Sequence, residues 1–326
     1  MEHRDRLSVV FLGSGELGVP TLGALHASDE VELRAVVTQP DRPAGRGLKL
    51  KPTPIKNRAM ALGLPVRQPQ RANDAVAELR ELGADVFVVA AYGQILAREV
   101  LDIPRIAPVN LHASLLPRYR GAAPVHWAII NGETETGVTT FVMTEGLDEG
   151  PILRQRSVAI AADDTAGSLE ARLAEWGPDV VMATLRGLRD GTVEPTPQDD
   201  RQATFAPKIR KAQGEIDWTE GAAALANLVR GLNPWPGAYT TWRDDRLKVH
   251  LAQMAPAELN RVPGGPGEVV GISEEGPCVQ TGDGLLELIE VQPAGKRPMR
   301  GIDVVNGYGL EPGEPLGEEP PTSPKQ

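Results

Sequence analysis

The sequence has little of several features that mark particular classes of protein. Of its 326 residues, 1 is cysteine and 4% are aromatic, and no apolar run is long enough to cross a membrane. A single thiol cannot form an internal disulfide or a thiolate metal site, so we expect a protein of the reducing cytoplasm. The start of the chain shows neither a long hydrophobic segment nor a small-residue cleavage site. We therefore expect no leader peptide and no membrane association.

What is present is the composition of an ordinary folded protein with an acidic surplus. The apolar share of 41% and charged share of 24% allow a sizeable core, and the length predicts two domains. The formal net charge of −10 argues against general affinity for nucleic acid. Residues 39–58, however, hold six basic residues and one acidic residue. Such a basic loop can bind a phosphate chain locally, or it can simply be solvated.

The first 190 residues alternate short β-branched runs with helical patterns. Strands are predicted over 7–12, 31–38, 85–90 and 107–111, and helices over 19–27, 54–62, 74–82 and 165–188. This alternation predicts a parallel sheet covered by helices on both faces, which is a Rossmann-like α/β domain over 1–190. Two more strands, 136–143 and 152–160, are joined by a glycine-bearing turn and predict a hairpin with Asp148 at its tip.

The pattern changes in the second half of the chain. Residues 191–207 are rich in Pro, Asp, Gln and Thr without an apolar period, and predict a linker. After a helix over 221–232, short strands separated by Gly- and Asp-rich turns predict a small OB-like β-barrel domain over 208–310. The end of the chain, 311–326, holds four glutamates, one lysine and several prolines, and predicts a disordered tail.

Asn110, His112 and Asp148 form the candidate chemical site. Asn110 and His112 are two apart on a strand, so both point to one face near the carboxyl end of the sheet, where ligands bind. An amide can donate to an oxyanion, an imidazole can transfer a proton near neutral pH, and a carboxylate can orient and charge the imidazole. Because no nucleophile or metal motif lies nearby, the trio suits acyl transfer to an amine without a covalent enzyme intermediate. Alternatively, Asn110 and His112 pin the following loop and Asp148 is a turn residue.

Two further motifs each have two interpretations. Gly13–Gly18 matches the G-x-G-x-x-G pattern of dinucleotide sites, but the second strand ends in T-Q-P, where an acidic ribose partner should stand. We interpret these glycines as close packing of a strand on a helix, whose backbone amides can still bind an anion. The loop over 114–124 carries Arg118 and Arg120, which suit a negatively charged or planar ligand, or else pair with surface acids.

The segments N-L-H-A-S-L-L-P-R-Y-R-G-A-A-P and E-G-L-D-E-G-P-I-L resemble the folate-dependent formyltransferases. The resemblance covers residues 7–307 and includes T-Q-P-D-R-P-A-G-R-G, V-V-A-A-Y-G-Q-I-L, I-D-W, L-N-P-W-P-G-A and V-Q-P-A-G-K-R-P-M. It implies that 10-formyl-tetrahydrofolate donates a formyl group to the α-amino group of methionyl initiator tRNA, without a metal. Within the family, the basic loop and the N-P-W-P and Q-P-A-G-K segments favour a tRNA acceptor.

The resemblance also implies roles for individual residues. Asn110 and a cationic His112 would stabilise the tetrahedral oxyanion formed when the amine attacks the formyl carbon, and Asp148 would support the charge on His112. The positions that would hold the folate are Tyr92, Gly93, Gln94, Ile95, Leu96, Ser114, Leu115, Leu116, Pro117, Glu145, Gly146 and Leu147. The positions that would contact tRNA are Arg42, Arg46, Lys49, Lys51, Lys208, Arg210 and Lys211. We expect a cytoplasmic monomer.

Two other functions compete with this one at the level of the sequence. A formyltransferase acting on a sugar-nucleotide amine or on glycinamide ribonucleotide would share the catalytic segment, but would have no use for a basic loop together with a barrel domain. An RNA-binding module with a catalytically idle α/β domain is the second. Residues 208–310 hold eleven basic and thirteen acidic residues, so the predicted barrel has no general cationic face.

Overall fold

The computed structural model describes residues 6–44, 49–256, 259 and 261–317, and the chain forms two compact units. The first unit takes the chain up to Pro124, then Glu135–Ala159 and Ser168–Pro207. The second takes Val125–Thr134, Ile160–Gly167 and the chain from Lys208 onward. Two short segments of the expected 1–190 domain therefore belong to the second unit, and the expected linker, 191–207, belongs to the first.

The strands of the N-terminal half are short and mostly buried. In the described part of this half they are β1 (Leu7–Gly13), β2 (Val31–Val37), β3 (Arg42–Ala44), β4 (Lys49–Lys51), β5 (Val66–Arg67), β6 (Val86–Ala90), β7 (Ala107–His112), β8 (Glu135–Val142) and β9 (Ile152–Ala159). Seven of them form one sheet in the order β5-β2-β1-β6-β7-β8-β9, while β3 pairs with β4 in a separate hairpin. Pairing is parallel from β5 to β7 and antiparallel from β7 to β9.

This sheet confirms the Rossmann-like α/β prediction, with the predicted hairpin as its antiparallel edge. β1 is buried at all 7 positions, as expected of a strand covered on both faces. A core cluster on β1 and β6 includes Val10, Leu12, Phe87 and Val89. The sequence reasoning did not identify β3, β4 and β5, because strands of two or three residues are too short to show a period.

Helices connect the strands of this half. They are α1 (Val19–Ala27), α2 (Pro54–Ala61), α3 (Val76–Glu81), α4 (Arg98–Leu101), α5 (Pro124–Ile130) and α6 (Ala166–Asp190). At the start of α2, the Thr53 hydroxyl accepts a hydrogen bond from the Lys56 N–H at 3.0 Å, and Pro54 occupies a position that needs no N–H donor. Among the described residues, no helix combines the length and apolar character needed to cross a bilayer.

The second unit is built on an antiparallel sheet. Its strands within the described residues are β10 (Ala238–Trp242), β11 (Asp245–Met254), β12 (Val269–Ile272), β13 (Pro277–Gln280), β14 (Leu285–Pro293) and β15 (Met299–Arg300), and its helices include α7 (Ala222–Gly231) and α8 (Gly301–Tyr308). The strand order is β10-β11-β14-β13-β12, with β15 paired to β14. Trp218, Leu225, Val249 and Leu288 contribute to one core cluster, which confirms a small β domain after the α/β domain.

The expectation of disorder is wrong for residues 311–317. Val269 donates its N–H to the Glu314 carbonyl at 2.9 Å, and Gly317 donates its N–H to the Thr241 carbonyl at 2.8 Å. The segment thus links the two edge strands of the sheet, β12 and β10. Leu316 is buried in the core, and the Glu314 carboxylate accepts from Trp242 Nε1 at 2.7 Å. A Pro- and Glu-rich composition concealed one core leucine and one anchored carboxylate.

Candidate active site

The candidate site lies where β7 ends. Leu111 pairs with Ala90 of β6 on one side and with Thr140 of β8 on the other, so β7 lies where parallel pairing gives way to antiparallel. His112, the last residue of β7, pairs with Thr139. The turn that joins β8 to β9 carries Asp148. The fold therefore brings an imidazole and a carboxylate to one end of the sheet.

His112 and Asp148 face one another. His112 Nδ1 lies 3.7 Å from Asp148 Oδ2, and the two side chains are only 8% and 14% exposed. This distance is longer than a direct hydrogen bond and short enough for strong electrostatic interaction in a site largely shielded from water. The hairpin-tip acid, Asp148, therefore lies next to the strand-end histidine, His112, as the sequence predicted.

The other ring nitrogen of His112 has an acceptor as its partner. His112 Nε2 lies 2.9 Å from the backbone carbonyl oxygen of Tyr119. Because a carbonyl only accepts hydrogen bonds, Nε2 carries a hydrogen and donates it. Nδ1 then faces a carboxylate, which also accepts. The Nε2 contact fixes the orientation of the ring and directs Nδ1 at the carboxylate.

Asp148 is held by backbone and side-chain donors. Its backbone has a φ of +50°, in the left-handed region that Asp tolerates better than most residues. Its Oδ2 atom accepts a hydrogen bond from the Gly121 N–H at 2.8 Å. Gln198 Nε2 donates to the carbonyl oxygens of Asp148 at 2.8 Å and of Gly150 at 2.7 Å. The carboxylate is thus fixed before any substrate arrives.

Asn110 has an uncommitted side chain. It is half-buried and pairs through its backbone with Val89 and Phe141. In the described part of the chain, its side-chain amide makes no hydrogen bond. An amide two residues before His112 on the same strand face therefore keeps its donor for a ligand. This is the arrangement that an oxyanion requires.

The loop Tyr92–Leu96 presents one exposed apolar side chain between two buried ones. Tyr92 and Leu96 are buried, whereas Ile95 is 84% exposed. Burial raises the pKa of Tyr92 to about 12, so its phenol stays neutral. Gln94 Oε1 accepts from the Ala72 N–H at 2.8 Å, which fixes the loop. Of the predicted folate contacts here, Ile95 and the backbone around Gly93 are the parts available to a ligand.

The segment Ser114–Pro117 is more internal than a binding motif suggests. Ser114 is fully buried, and its hydroxyl donates to the Arg118 carbonyl at 2.6 Å. Leu116 is buried, while Leu115 and Pro117 are half-buried, and the Leu116–Pro117 peptide bond is cis. Ser114 and Leu116 thus shape the loop from inside, and Leu115 and Pro117 are the side chains left to face a ligand.

The third predicted folate segment, Glu145–Leu147, lies in the turn before Asp148. Glu145 and Leu147 are exposed, and Leu147 is 56% exposed. A Cβ atom at Gly146 would meet the carboxylate of Glu149, which is the flexible end of an exposed side chain and can move away. Leu147 and Ile95 are thus exposed large apolar side chains on two of the three predicted folate-binding segments.

The glycine motif at the first strand packs as predicted. A Cβ atom at Gly13 would lie 2.6 Å from the Phe11 ring and 2.9 Å from the Ala90 carbonyl oxygen. The N–H groups of Ser14 and Gly15 both point at the Ala91 carbonyl oxygen, each at 3.2 Å. These two amides are satisfied within the fold, which favours the packing interpretation over an anion site.

The basic segment forms a hairpin instead of an open loop. Arg42 pairs with Lys51 across β3 and β4, and Lys49 and Lys51 are exposed. Arg42 Nη2 donates to Gln39 Oε1 at 3.0 Å. Arg46 lies outside the described residues. In the second unit Lys208, Arg210 and Lys211 are all exposed.

An internal acid neutralises one of the six cations in this segment. Lys56 Nζ lies 2.8 Å from Asp41 Oδ2, and this hydrogen bond lowers the pKa of Asp41 below its ordinary value. Asp41 also accepts from Gln68 Nε2 at 2.9 Å. The pair anchors the base of the hairpin, and Arg42, Lys49 and Lys51 remain on its arms.

Of the two interpretations of Arg120, pairing with a surface acid is the one that agrees with the structure. Arg120 is 5% exposed, and its Nη2 donates to Asp200 Oδ1 at 2.7 Å and to Gln198 Oε1 at 2.8 Å. Sequence reasoning missed Gln198 and Tyr119 altogether. Gln198 acts on residues about fifty positions away in the chain, and Tyr119 acts through its backbone carbonyl, which any residue could supply.

Both halves of the chain are similar to known formyl transferases. A family described as "Formyl transferase" matches residues 6–185, and "Formyl transferase, C-terminal domain" matches residues 208–309. The chain is 46% identical over 313 residues to methionyl-tRNA formyltransferase of Geobacter metallireducens, covering 95% of this chain and 99% of that one. It is 46% identical over 314 residues to the protein of that name from Moorella thermoacetica, again covering 95% and 99%.

A solved structure also shares the fold. WlaRD, a sugar 3N-formyl transferase crystallised in the presence of dTDP and 5-N-formyl-THF, superposes with a TM-score of 0.65 at 17% identity. The superposition covers 90% of this chain and 100% of that one. At that identity the likeness concerns the fold alone.

Proposed function

The chain belongs to the formyl transferase family, and we propose that Asn110, His112 and Asp148 are the residues with which it transfers the formyl group. The observation that carries this proposal is the His112–Asp148 pair, 3.7 Å apart and largely buried at the end of β7. Asn110, with its unengaged amide, lies two residues earlier on the same strand.

The reaction is transfer of the formyl group of 10-formyl-tetrahydrofolate to the α-amino group of methionyl initiator tRNA. Curated relatives named for it are 46% identical to this chain over nearly its full length. The amine first forms a C–N bond to the formyl carbon, which gives a tetrahedral oxyanion, and the bond from that carbon to folate N10 then breaks. The proton lost by the amine is balanced by the proton gained at N10.

The residues present fit the folate co-substrate. When bound, it supplies a formyl group already activated as an amide. Ile95 and Leu147, 84% and 56% exposed, offer apolar contact area for a flat heterocycle, and Leu115 and Pro117 lie on the loop that follows β7. We assign to the folate the segments Tyr92–Leu96, Ser114–Pro117 and Glu145–Leu147, with the buried members acting by shaping the loops.

Asn110 and His112 stabilise the negative charge that develops on the formyl oxygen. Asn110 donates an amide N–H, and the imidazolium of His112 adds positive charge in a site with little water. Removing a single oxyanion donor typically slows such reactions by about 10²–10³-fold. Asp148, whose Oδ2 lies 3.7 Å from Nδ1, offsets the charge on His112.

The proposed contacts with tRNA are made by exposed cations. Arg42, Lys49 and Lys51 lie on the arms of the β3–β4 hairpin, and we assign them to the acceptor end of the tRNA, together with Arg46 from the same sequence motif. Lys208, Arg210 and Lys211 are assigned to backbone phosphates. We further propose that the protein acts in the cytoplasm, where charged tRNA is found, and as a monomer.

One assay of the purified protein tests this function. We expect formyl transfer from 10-formyl-tetrahydrofolate to methionyl initiator tRNA, with much slower transfer to methionyl elongator tRNA and none to a free amino sugar. His112→Ala should abolish transfer while leaving tRNA binding nearly intact. Formylation of an amino sugar with no turnover of either tRNA would contradict the assignment.

A further inference from the structure

The segment Thr196–Ala206, which we call the strap, runs along the candidate site instead of forming a linker. At one end, Thr196 and Ile152 exchange two backbone hydrogen bonds of 2.8 Å each, just after the Asp148 turn. At the other end, Arg120 and Ala206 are joined by a backbone hydrogen bond of 2.7 Å. The strap therefore bridges the turn that carries Asp148 and the loop that contacts His112.

Gln198 is the residue of the strap that reaches the catalytic acid. Its Nε2 donates to the carbonyls of Asp148 and Gly150, at 2.8 and 2.7 Å. Its Oε1 accepts from Arg120 Nε at 3.0 Å and Nη2 at 2.8 Å. Since Arg120 can only donate and the carbonyls can only accept, the orientation of the amide is fixed. A glutamine is required to serve both sides at once.

Arg120 links this amide to the loop beside His112. Its neighbours in sequence contact the two halves of the catalytic pair: the Tyr119 carbonyl accepts from His112 Nε2, and the Gly121 N–H donates to Asp148 Oδ2. Thr204 of the strap holds the same loop, because its hydroxyl accepts from the Tyr119 N–H at 2.8 Å. Three consecutive residues thus set the position of both the imidazole and the carboxylate.

We infer that Gln198 is a positioning residue for formyl transfer, which holds the Asp148 turn against the Arg120 loop so that the carboxylate faces the imidazole. The inference rests on the proposed function of His112 and Asp148. Gln198 acts through these residues and is given no contact with substrate. Small displacements of a reacting group cost large factors in rate, up to about 10²-fold for 1 Å.

Single variants give the first test. Gln198→Ala should lower kcat by ~10-fold to ~10²-fold, with KM for formyl-folate changed by no more than about twofold, because positioning affects the chemical step more than ground-state binding. Gln198→Glu keeps the acceptor for Arg120 but sets a carboxylate against two carbonyls, and should be at least as slow. Gln202→Ala is the matched control, since the exposed Gln202 side chain, within the described residues, donates to Asp199 of the strap and not to the candidate site.

A spectroscopic readout separates positioning from general damage to the fold. The Nδ1 resonance of His112, observed by long-range proton–nitrogen NMR at fixed pH, should shift in Gln198→Ala and stay in place in Gln202→Ala. A wild-type resonance in Gln198→Ala together with reduced kcat would overturn the inference.

A double-mutant cycle distinguishes failure of this inference from failure of the proposed function. In an Asp148→Asn background, Gln198→Ala should slow transfer by less than about twofold, because its effect passes through Asp148. Equal slowing in both backgrounds, or wild-type kcat in Gln198→Ala while Asp148→Asn is impaired, would overturn the positioning role and leave the catalytic assignment standing. Full activity of Asp148→Asn itself would contradict both the positioning role of Gln198 and the catalytic assignment of Asp148.

Discussion

The carboxylate of Asp148 accepts a hydrogen bond of 2.8 Å from the backbone N–H of Gly121. The oxygen that receives this bond, Oδ2, is also the one that faces His112. A backbone amide thus fixes the carboxylate oxygen that faces the imidazole. The loop after β7 therefore positions the carboxylate, and it also contacts His112 through the Tyr119 carbonyl.

Gly121→Ala should impair transfer and destabilise the first unit. Gly121 has a φ of +125°, and a Cβ atom there would lie 2.6 Å from the Ala206 carbonyl oxygen. We expect a loss of about 1–3 kcal/mol from the strained backbone and a fall in kcat from displacement of the Asp148 donor. Gly191→Ala is the control, because Gly191 also has positive φ, at +65°, but has open space around it. Equal kcat in the two variants would exclude a role for the Gly121 N–H.

Arg42→Ala should weaken the use of tRNA without affecting folate. Arg42 lies exposed on the β3–β4 hairpin, so its loss removes a cation from the surface assigned to tRNA. We expect a several-fold higher KM for methionyl-tRNA, a weaker dependence of kcat/KM on salt, and an unchanged KM for formyl-folate. Arg98→Ala removes another exposed cation of the first unit, 72% exposed in its side chain, and should change none of these. A salt dependence equal to wild type in Arg42→Ala would contradict the assignment.

Leu316→Ala should destabilise the second unit. Leu316 is 4% exposed and belongs to its core cluster, although it lies in a Pro- and Glu-rich segment. Truncation of a buried leucine typically costs about 2–5 kcal/mol. Leu251→Ala, at a position that is 40% exposed on β11, should cost much less. Thermal and urea unfolding of the two variants would show the difference, and equal stabilities would mean that residues 311–317 do not close this sheet in solution.

The stability of the protein should fall with acidification through a contribution from His126. Burial lowers the pKa of His126 below 6.5, opposed in part by a hydrogen bond with the Trp235 backbone. The unfolded state therefore binds a proton at a higher pH than the folded state does. This stabilisation is fully present above 6.5 and is lost as the pH falls through the lowered folded-state pKa.

His126→Gln should remove that part of the pH dependence. The free energy of unfolding, measured in urea at about pH 7.5 and about pH 5.5, should fall less in the variant than in the wild type. His26→Gln, at an exposed position on α1, serves as the control. An unchanged pH dependence in His126→Gln would show that other groups account for the loss.

The sequence predicted elements best where a period of apolar residues was long enough to be read. Helix α1 has the predicted bounds, Val19–Ala27, and β1 differs by one residue. The meeting of His112 with Asp148 was also predictable, because strand ends converge at one edge of a sheet and a short turn follows β8. Local patterns and the rules of sheet topology were sufficient for these features.

The parts that were missed depend on contacts between distant segments. Gln198 lies 50 residues from Asp148 in the chain, and nothing around it marks an amide that bonds two carbonyls and an arginine. The partners of Arg120 could not be named from the sequence, because they lie in a segment that composition assigned to a linker. Leu316 was missed because it lies in a Pro- and Glu-rich segment that composition assigned to a disordered tail. In each case the average composition of a segment gave a prediction that did not hold for one side chain within it.

The most direct test of the account is the rate of single-turnover formyl transfer to methionyl initiator tRNA by Asp148→Asn, which keeps the shape of the side chain and removes its charge. With enzyme in excess over charged tRNA and saturating formyl-folate, we expect the chemical step to slow by about 10²-fold or more, with tRNA binding unchanged. A single-turnover rate equal to wild type would contradict the catalytic role of the His112–Asp148 pair.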